Sequence, residues 1–415
     1  MKVLWVSSRI FDEADEKQSG VWQKALAEKL AEEQGLILGN ISYQDGITVT
    51  TYSVYKTIHQ WGIPRFGKVK NGVPPEKVCR LFSEAVMQFN PDIIHIWGSE
   101  NPFKLLPFRS DLSGIKVLAI QGLLSSMGLN CLPWFTIKEL LSMIGLREII
   151  KGGNVFSVQR SFVKEGRIED EMIKICDYVI SQSEWTESHL LSINKNIKYF
   201  RTHRALREPF VKCKKWDEFE HNEFIIYTSS YGYTWKALYI LIRALPIIKI
   251  YFPKIQLRIA GNIGRTDFLG EGYLRYIVKL IKKSRIADNI KWLGPLNADQ
   301  TVHELQQASV YVNPSNVESY SNTLAEAMSV GTPSVVTFAG AMPELADNNK
   351  EALYFTIGDY KRCAHLIIKL LCDEKLSTEI SQNALKRSLE RNKIKDVASN
   401  QMDIYRKILG MTADC

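Results

Sequence analysis

Short apolar strands alternate with amphipathic helical stretches along almost the whole chain, and this alternation limits the fold more than any other feature. Many of the strands are continuous apolar runs, which is typical of parallel strands buried on both faces. Because the alternation occurs twice, we predict an α/β fold of two doubly wound, Rossmann-like domains. The predicted strands are Lys2–Ser7, Ile47–Tyr52, Ile93–Trp97, Lys116–Ile120, Tyr178–Ser181, Phe224–Thr228, Gln256–Ala260, Ile290–Leu293, Val310–Asn313, Ser334–Thr337 and Leu353–Phe355.

A charged, proline-containing stretch at Ala205–Asn222 interrupts the alternation, and a new strand follows at once. A chain of 415 residues is long enough for two or three domains. We therefore predict an N-terminal Rossmann-like domain at 1–205 and a C-terminal one at 206–395. A last helix at 396–415 is expected to pack back on the first domain.

Composition excludes several protein classes. Apolar residues make up 45% of the chain and charged residues 24%, as in globular proteins, and no apolar run is long enough to span a membrane. The first ten residues lack the apolar core and cleavage site of a signal peptide. Seven scattered cysteines form no CxxC pair, which argues against a zinc ribbon. These features predict a cytoplasmic protein with reduced thiols. The net charge of +8 fits an acidic ligand or an anionic membrane but is too common to decide between them.

Two stretches imitate known sites. The segment Gly62–Val69 fits GxxxxGK but ends in valine, whereas a P-loop needs a hydroxyl there to hold magnesium. The acidic run Glu169–Glu171 falls on a predicted helix and is expected to be a solvated face. No Asp-x-Asp occurs, so the simplest metal–nucleotide site is missing, and we expect neither a metal nor a bound cofactor.

The most informative stretch is Val310–Glu344. It reads as a strand, a polar loop and a short helix over Thr323–Ser329, capped by Ser321 or Asn322 and ended by Gly331. Open α/β sheets bind ligands where such a helix begins, just past the carboxyl end of a strand. The free amides at Tyr320–Leu324 are suited to an anion such as a diphosphate.

Two glutamates flank this helix start. Glu318 lies in the loop before the helix and Glu326 about one turn inside it. Carboxylates repel phosphate but accept strong hydrogen bonds from sugar hydroxyls, which suggests a ribose or hexose ligand. An exposed helix residue and a loop acid would give the same pattern, and the residues alone leave both interpretations open.

The stretch resembles the nucleotide-sugar site of the retaining glycosyltransferases of family four, also called group 1. The resemblance rests on Glu318-(x)7-Glu326, on Gly331-x-Pro333 and on AlaGly-x-x-ProGlu at Ala339–Glu344. It extends loosely over the N-terminal half and closely from Phe224 to Glu344. It implies the GT-B fold, in which two Rossmann-like domains face each other across a cleft.

The resemblance implies roles for matching residues. Glu326 would bind the donor ribose, and Glu318 would touch the donor sugar as a catalytic residue. Lys236 would neutralise the leaving diphosphate, whose negative charge grows as the glycosidic bond breaks. The remaining donor-binding residues that it implies are Gly20, Gly261, Leu296, Ser319, Tyr320, Ser321, Asn322 and Thr323.

The chain departs from the family at three positions. Tyr231 replaces an arginine, the first loop keeps only Gly20 of two glycines, and Gln121 stands where a histidine is usual. Glutamine can hydrogen-bond a sugar but cannot act as a base. Gln121 and the strand residue His95 are nevertheless expected to contact the acceptor or the sugar, although a structural role for His95 is as plausible.

Two further segments have open interpretations. The basic stretch Arg201–Arg207 fits a phosphate ligand, but a solvated linker is the better interpretation. Lys138–Gly153 is an amphipathic helix candidate that fits core packing or, as in relatives, a membrane or lipid-linked acceptor.

The sequence thus predicts a retaining hexosyltransferase of cell-surface polysaccharide synthesis. It would transfer a sugar from a nucleotide diphosphate sugar to a hydroxyl of a saccharide or lipid-linked acceptor, with peripheral membrane contact and without nucleic acid. Two alternatives share the fold. They are a non-catalytic nucleotide-sugar-binding relative, suggested by Tyr231 and Gln121, and a nucleotide-sugar 2-epimerase.

Overall fold

A computed structural model gives the structure of residues 1–12, 21–145, 148, 153–218, 223–261 and 271–410. The chain forms two compact α/β units. Unit 1 contains Met1–Ser125, Lys164–Ala205 and the chain from Asn392, and unit 2 contains Ser126–Val163 and Leu206–Arg391.

Each unit is built on one β-sheet. The strands of unit 1 are β1 Lys2–Val6, β2 Ile37–Gln44, β3 Thr51–Tyr55, β4 Ile58–Pro64, β5 Ile93–Trp97, β6 Ile115–Ala119, β7 Tyr178–Ser181 and β8 Lys198–Arg201. The strands of unit 2 are β9 Ile225–Thr228, β10 Gln256–Ala260, β11 Ile290–Gly294, β12 Val310–Asn313, β13 Ser334–Thr337 and β14 Leu353–Phe355.

Helices connect most of these strands. They are α1 Val21–Leu30, α2 Glu76–Phe89, α3 Leu106–Arg109, α4 Leu124–Asn130, α5 Ile137–Ser142, α6 Val155–Ile175, α7 Glu184–Ile193, α8 Glu208–Lys212, α9 Leu238–Tyr251, α10 Gly272–Ser284, α11 Ala298–Gln307, α12 Asn322–Val330, α13 Met342–Leu345, α14 Tyr360–Cys372, α15 Glu374–Arg391 and α16 Ile394–Ile408.

The sheet of unit 1 has the order β3-β4-β2-β1-β5-β6-β7-β8, and all its neighbours are parallel except β3 and β4. The sequence prediction missed β2, β4 and β8 and placed β3 four residues too early. The buried amides Asn40 and Gln60 explain two of these errors. They hydrogen-bond each other at 3.3 Å inside the sheet, so β2 and β4 are not continuous apolar runs. β4 ends at Pro64, within the P-loop-like stretch.

One face of this sheet is closed by the last helix. Trp5 on β1 donates a hydrogen bond of 3.0 Å to the hydroxyl of Tyr405 on α16, and both side chains are fully buried. Burying an aromatic side chain stabilises a fold by roughly 2–3 kcal/mol. Residues from Asn392 onward therefore group with unit 1.

The boundaries of the units differ from the predicted domains in the middle of the chain. Residues 126–163, predicted within the first domain, group with unit 2. Glu139 on α5 accepts hydrogen bonds from Tyr276 at 2.7 Å and from Arg243, and Glu148 pairs with Arg275 at 2.7 Å. Such ion pairs, more than 100 residues apart in sequence, follow no local pattern.

The acidic run at Glu169–Glu171 is only in part the solvated face that the sequence suggests, because Glu171 is exposed and Asp170 partly exposed but Glu169 is buried. Glu169 is fully buried, and its carboxylate accepts hydrogen bonds from the Ser99 hydroxyl at 2.5 Å and the Leu124 amide at 3.1 Å. Burial raises the pKa of this carboxyl, while these donors oppose the shift.

Unit 2 has six parallel strands in the order β11-β10-β9-β12-β13-β14. Numbered from the first strand of the unit, this is the Rossmann order 3-2-1-4-5-6, and the order reverses between β9 and β12. Ligands bind beyond the carboxyl ends of the strands at such a reversal. The predicted fold of two doubly wound domains is confirmed.

Candidate functional site

A cavity of about 230 Å³ opens at the carboxyl ends of β9, β10 and β12. Four of the predicted donor-binding residues line it, namely Gly261, Leu296, Thr323 and Glu326. The other lining residues are Tyr227, Ser229, Tyr231, Ala260, Pro295, Thr301, Leu305 and Tyr311. The lining thus combines apolar side chains with hydroxyls and one carboxylate.

Helix α12 begins beside this cavity. The Ser321 hydroxyl caps it by accepting a hydrogen bond of 3.2 Å from the Leu324 amide, and Asn313 at the end of β12 donates to the same hydroxyl at 3.0 Å. Gly331, with φ of 90°, ends the helix. The predicted cap and glycine stop are confirmed.

The other predicted residues lie in the loop just before α12 and in its first turn. Ser319, Tyr320 and Ser321 are buried, whereas Asn322 and Thr323 are partly exposed. Tyr311 donates a hydrogen bond of 2.6 Å to the Thr323 hydroxyl and so fixes its direction at the cavity wall. The positive end of the helix dipole lies here, which favours an anionic ligand.

Glu326 is held by an arginine that the sequence did not point to. Its Oε1 lies 2.7 Å from Nη2 of Arg207, and only 13% of the glutamate side chain is exposed. Burial raises the pKa of Glu326, and the Arg207 guanidinium opposes that shift. Glu326 is therefore a largely desolvated carboxylate at the cavity wall, not an exposed helix residue.

Glu318 is held by the predicted catalytic lysine. Nζ of Lys236 lies 2.6 Å from its Oε1, and 9% of the glutamate side chain is exposed. The lysine ends a 3-10 turn, Thr234–Lys236, between β9 and α9. The loops of Lys236 and Glu318 are joined by a backbone hydrogen bond of 2.7 Å from Asn316 to Trp235.

The AlaGly-x-x-ProGlu motif packs against the loop that contains Glu318. Gly340 has φ of 56°, and a Cβ there would lie 2.2 Å from the carbonyl oxygen of Glu318. The same oxygen accepts a hydrogen bond of 2.8 Å from the Ala341 amide. A glycine is required at this position so that the Glu318 loop can pack against the motif.

The two carboxylates share a neighbour. Burial, chiefly, raises the pKa of the Tyr311 hydroxyl, and the charges of Glu318 and Glu326 add to the shift. Both glutamates thus affect the pKa of one side chain, that of Tyr311 on β12. Glu326 lines the cavity, whereas Glu318 and Lys236 are not among its lining residues.

Gly261 has a different neighbour from the one the resemblance implies. Its φ is 124°, and a Cβ would lie 2.1 Å from the Tyr231 ring. Tyr231 therefore packs directly on the glycine and forms part of the cavity wall. The position expected to admit a nucleotide thus lies beside the residue that replaces the family arginine, and both line the cavity.

The contacts predicted in unit 1 do not form a comparable site. His95 has no exposed surface, and its Nδ1 lies 2.6 Å from the Tyr405 hydroxyl. Its ring stacks on Trp97 with centroids 4.2 Å apart, and burial lowers its pKa to about 3. The expected sugar contact by His95 is therefore wrong, because a continuous strand places this side chain in the core.

The two remaining predicted contacts give less information. Gln121 is partly exposed, and its carbonyl accepts a hydrogen bond of 3.3 Å from Arg204, so a sugar contact by its side chain stays a prediction. Gly20 lies outside the described residues. No group of three His, Cys, Asp or Glu side chains arranged to hold a metal occurs within the described ranges.

Sequence reasoning missed Arg207 and the tyrosines of the cavity. Arg207 belongs to the basic stretch that was interpreted as a solvated linker, but only 22% of its side chain is exposed. No local signal in the sequence marks its pairing with Glu326, 119 residues away. Tyr227 and Tyr311 were hidden because they read as ordinary strand residues.

Comparison with known proteins gives one family match. The family described as glycosyl transferases group 1 matches residues 212–387. An N-acetyl-alpha-D-glucosaminyl L-malate synthase from Bacillus anthracis is 28% identical over 133 residues, which are 32% of this chain and 34% of the relative. An MMP alpha-(1->4)-mannosyltransferase from Mycolicibacterium hassiacum is 29% identical over 33% of this chain and 34% of the relative. The chain spans about a third of the length of these curated relatives.

Solved structures match over the whole chain. A sucrose-phosphate synthase from Thermosynechococcus elongatus has a TM-score of 0.74 and 15% identity, covering 99% of both chains. Anabaena HepE in complex with UDP-glucose has a TM-score of 0.66 and 16% identity, covering 99% of this chain and 100% of HepE. At these identities the likeness shows the fold, which is the GT-B fold.

Proposed function

We propose, on the premise that this chain belongs to the group 1 glycosyltransferases, that it is a retaining hexosyltransferase. The observation that carries the proposal is the pair of carboxylates, each matched by one cation, around the start of α12. A nucleotide diphosphate sugar has the groups that this arrangement suits. Its ribose and hexose hydroxyls donate to carboxylates, and its diphosphate is attracted to Lys236 and the helix dipole.

The ion pair of Lys236 and Glu318 suggests how the donor is received. A diphosphate beside Nζ of Lys236 would replace Glu318 as the partner of the lysine. The Glu318 carboxylate would then accept hydrogen bonds from the donor sugar. Donor binding thus exchanges one ion pair for another without leaving a charge unpaired, which would be costly in a partly buried site.

The transfer step uses the same lysine. The acceptor hydroxyl attacks the anomeric carbon, and the bond from that carbon to the diphosphate oxygen breaks. The electron pair of that bond stays on the leaving oxygen, where Lys236 stabilises it, and the acceptor proton passes to the leaving phosphate. We propose that no metal ion takes part, so that excess EDTA leaves the initial rate unchanged. A rate that falls with EDTA and returns with Mg²⁺ would contradict this.

A panel of donors tests the function. Purified protein is mixed with UDP-, GDP- and ADP-sugars, and thermal stability and slow donor hydrolysis are followed in the same samples. A donor at 100 times its dissociation constant should add about 2.7 kcal/mol of stability. Selective stabilisation together with hydrolysis supports a transferase. Binding without hydrolysis, even with saccharide acceptors, indicates the non-catalytic relative, and a change of the sugar at C2 indicates the epimerase.

We also propose peripheral contact with the cytoplasmic face of a membrane. The six cysteines within the described ranges form no disulfide with one another, as in a reducing compartment. None of the helices in the described part of the chain has the length and apolarity needed to cross a bilayer. Helix α5 nevertheless exposes 75% of Ile137 and 58% of Leu141, one turn apart on one face, while Glu139 anchors the helix to unit 2.

Vesicle binding tests the contact. The double variant I137D/L141D should lose cosedimentation with anionic phosphatidylglycerol vesicles, because charged side chains oppose insertion of this face. V49D, which changes another exposed apolar residue, is the matched control. Equal sedimentation of all three proteins would contradict the contact.

A further inference from the structure

Arg207 is a partly buried partner of the cavity residue Glu326, and no sequence motif marks it. Its guanidinium meets Glu326 across 119 residues of sequence at 2.7 Å, and the two side chains are 22% and 13% exposed. Exposed ion pairs contribute little to stability. This pair is partly buried, and its charge-assisted hydrogen bond has a defined direction. The contact therefore fixes where the Glu326 carboxylate points.

The position of Arg207 is itself fixed by packing. Arg207 is the residue just before α8, and its guanidinium carbon lies 4.8 Å from the ring centre of the fully buried Phe210. The Phe210 carbonyl accepts a hydrogen bond of 2.8 Å from Ser329. Because Ser329 and Glu326 lie on the same helix, α12, this contact holds the arginine and the glutamate in register.

The arginine uses only one carboxylate oxygen. Nη2 contacts Oε1 of Glu326 at 2.7 Å, and the second carboxylate oxygen, Oε2, is outside this contact. The other titratable groups that face Glu326 are the hydroxyls of Tyr227 and Tyr311. Burial raises the pKa of both tyrosines, so they remain neutral, and the Arg207 guanidinium is the charge that opposes the rise in the pKa of Glu326 on burial.

We propose that Arg207 is a positioning residue of the donor site, holding Oε1 of Glu326 so that Oε2 accepts hydrogen bonds from the vicinal hydroxyls of a bound ribose. This inference rests on the proposed function, since it needs a nucleotide in the cavity. Arg207 acts on ribose recognition indirectly, by orienting the Glu326 carboxylate.

Calorimetric titration separates ribose recognition from general damage. The probes are UDP, GDP and ADP and their 2′,3′-dideoxy analogues, and the proteins are the wild type, R207Q, R207K and R258Q. R207Q should bind the ribonucleotide about tenfold more weakly, the loss of one charge-assisted hydrogen bond, and bind the dideoxy analogue as the wild type does. R207K, which keeps the charge, should recover most of the affinity.

R258Q is the matched control. Arg258 pairs with Glu304 at 3.2 Å with exposures of 13% and 12%, so its removal breaks a similarly buried pair in the same unit. It should leave the preference for ribose over dideoxyribose unchanged. In an E326Q background, R207Q should have no further effect on that preference, since the carboxylate it positions is gone.

The pH profile gives a readout that a purely structural role would not move. Without Arg207 the Glu326 pKa rises further, so the loss of ribonucleotide affinity on acidification should begin at a higher pH in R207Q than in the wild type. The affinity of the dideoxy analogue should show no such difference between the two proteins.

The outcomes distinguish this inference from the proposed function. If the wild type binds one of the nucleotides and R207Q binds it equally well, Arg207 has no positioning role. The same follows if R207Q weakens the ribonucleotide and its dideoxy analogue by equal factors. If the wild type binds none of the three nucleotides, the proposed function fails and this inference fails with it.

Discussion

The polar residues predicted for the site differ in exposure between the two units. In unit 2 the predicted Lys236 and Glu318 follow the ends of strands and form an ion pair that retains some exposure. In unit 1 the predicted His95 lies within a strand and has no exposed surface. A polar residue just beyond a strand is available to a ligand, whereas one inside a doubly covered strand belongs to the core.

Burial acts on both regions but with opposite signs. It raises the pKa of Glu326 and lowers the pKa of His95, because in each case it disfavours the charged form. The partners then differ. Arg207 supports a charged Glu326, while the Tyr405 hydroxyl hydrogen-bonds a neutral His95. A perturbed pKa marks the functional site only where a charge partner accompanies it.

The largest expected effect is on turnover, which should fall when Lys236 is replaced but not when His95 is. K236Q should lower turnover by about 10²–10³-fold with a smaller loss of donor affinity, since the charge on the leaving diphosphate is then unmatched. H95Q should keep turnover close to that of the wild type. Steady-state rates with the donor identified by the panel measure both variants.

K282Q, which removes an exposed lysine of unit 2, controls for loss of charge alone. A normal rate for K236Q, or a large loss of rate for H95Q, would reverse the comparison between the two sheets.

The next effect compares two glycines at the strand ends. Gly261 and Gly98 both have positive φ, but an alanine Cβ would meet the rigid Tyr231 ring at Gly261 and the flexible Glu100 carboxylate at Gly98. G261A should therefore destabilise the protein by about 3 kcal/mol and weaken nucleotide binding, because strain and overpacking add. G98A should cost only the backbone strain, about 1 kcal/mol. Urea unfolding of the two variants measures the difference, and equal losses would contradict the role of Tyr231.

The smallest effect concerns pH and unit 1. The unfolded chain protonates His95 near its ordinary pKa of about 6.5, whereas the folded protein leaves it neutral until about pH 3. Stability that His95 contributes is thus lost as pH falls below 6.5, by roughly 2 kcal/mol between pH 7 and pH 5. H95Q, which cannot titrate, should show a shallower loss over this range.

Hydrogen exchange of the β5 amides at about pH 7 and about pH 5 measures the stability of unit 1 separately from that of unit 2. An identical pH dependence in the wild type and H95Q would show that the histidine is not held neutral. The variant's overall stability does not matter for this comparison, since only the change with pH is read.

The sequence by itself determined the strand–helix alternation and the local start of the donor site. Ser321, Gly331 and the apolar strands act on neighbours a few residues away, so their effect can be read from the chain. The spacing of Glu318 and Glu326 likewise follows from one loop and one turn of helix. These features depend on backbone geometry that is nearly the same in every protein.

Tertiary structure alone decided which polar side chains meet. Arg207 reaches Glu326 over 119 residues, Lys236 reaches Glu318 over 82, and Tyr405 reaches His95 over 310. Such pairs are selected by how helices and strands pack, and no local pattern encodes them. The same packing buried Glu169 and His95, which the sequence could equally have left exposed, and it joined residues 126–163 to unit 2.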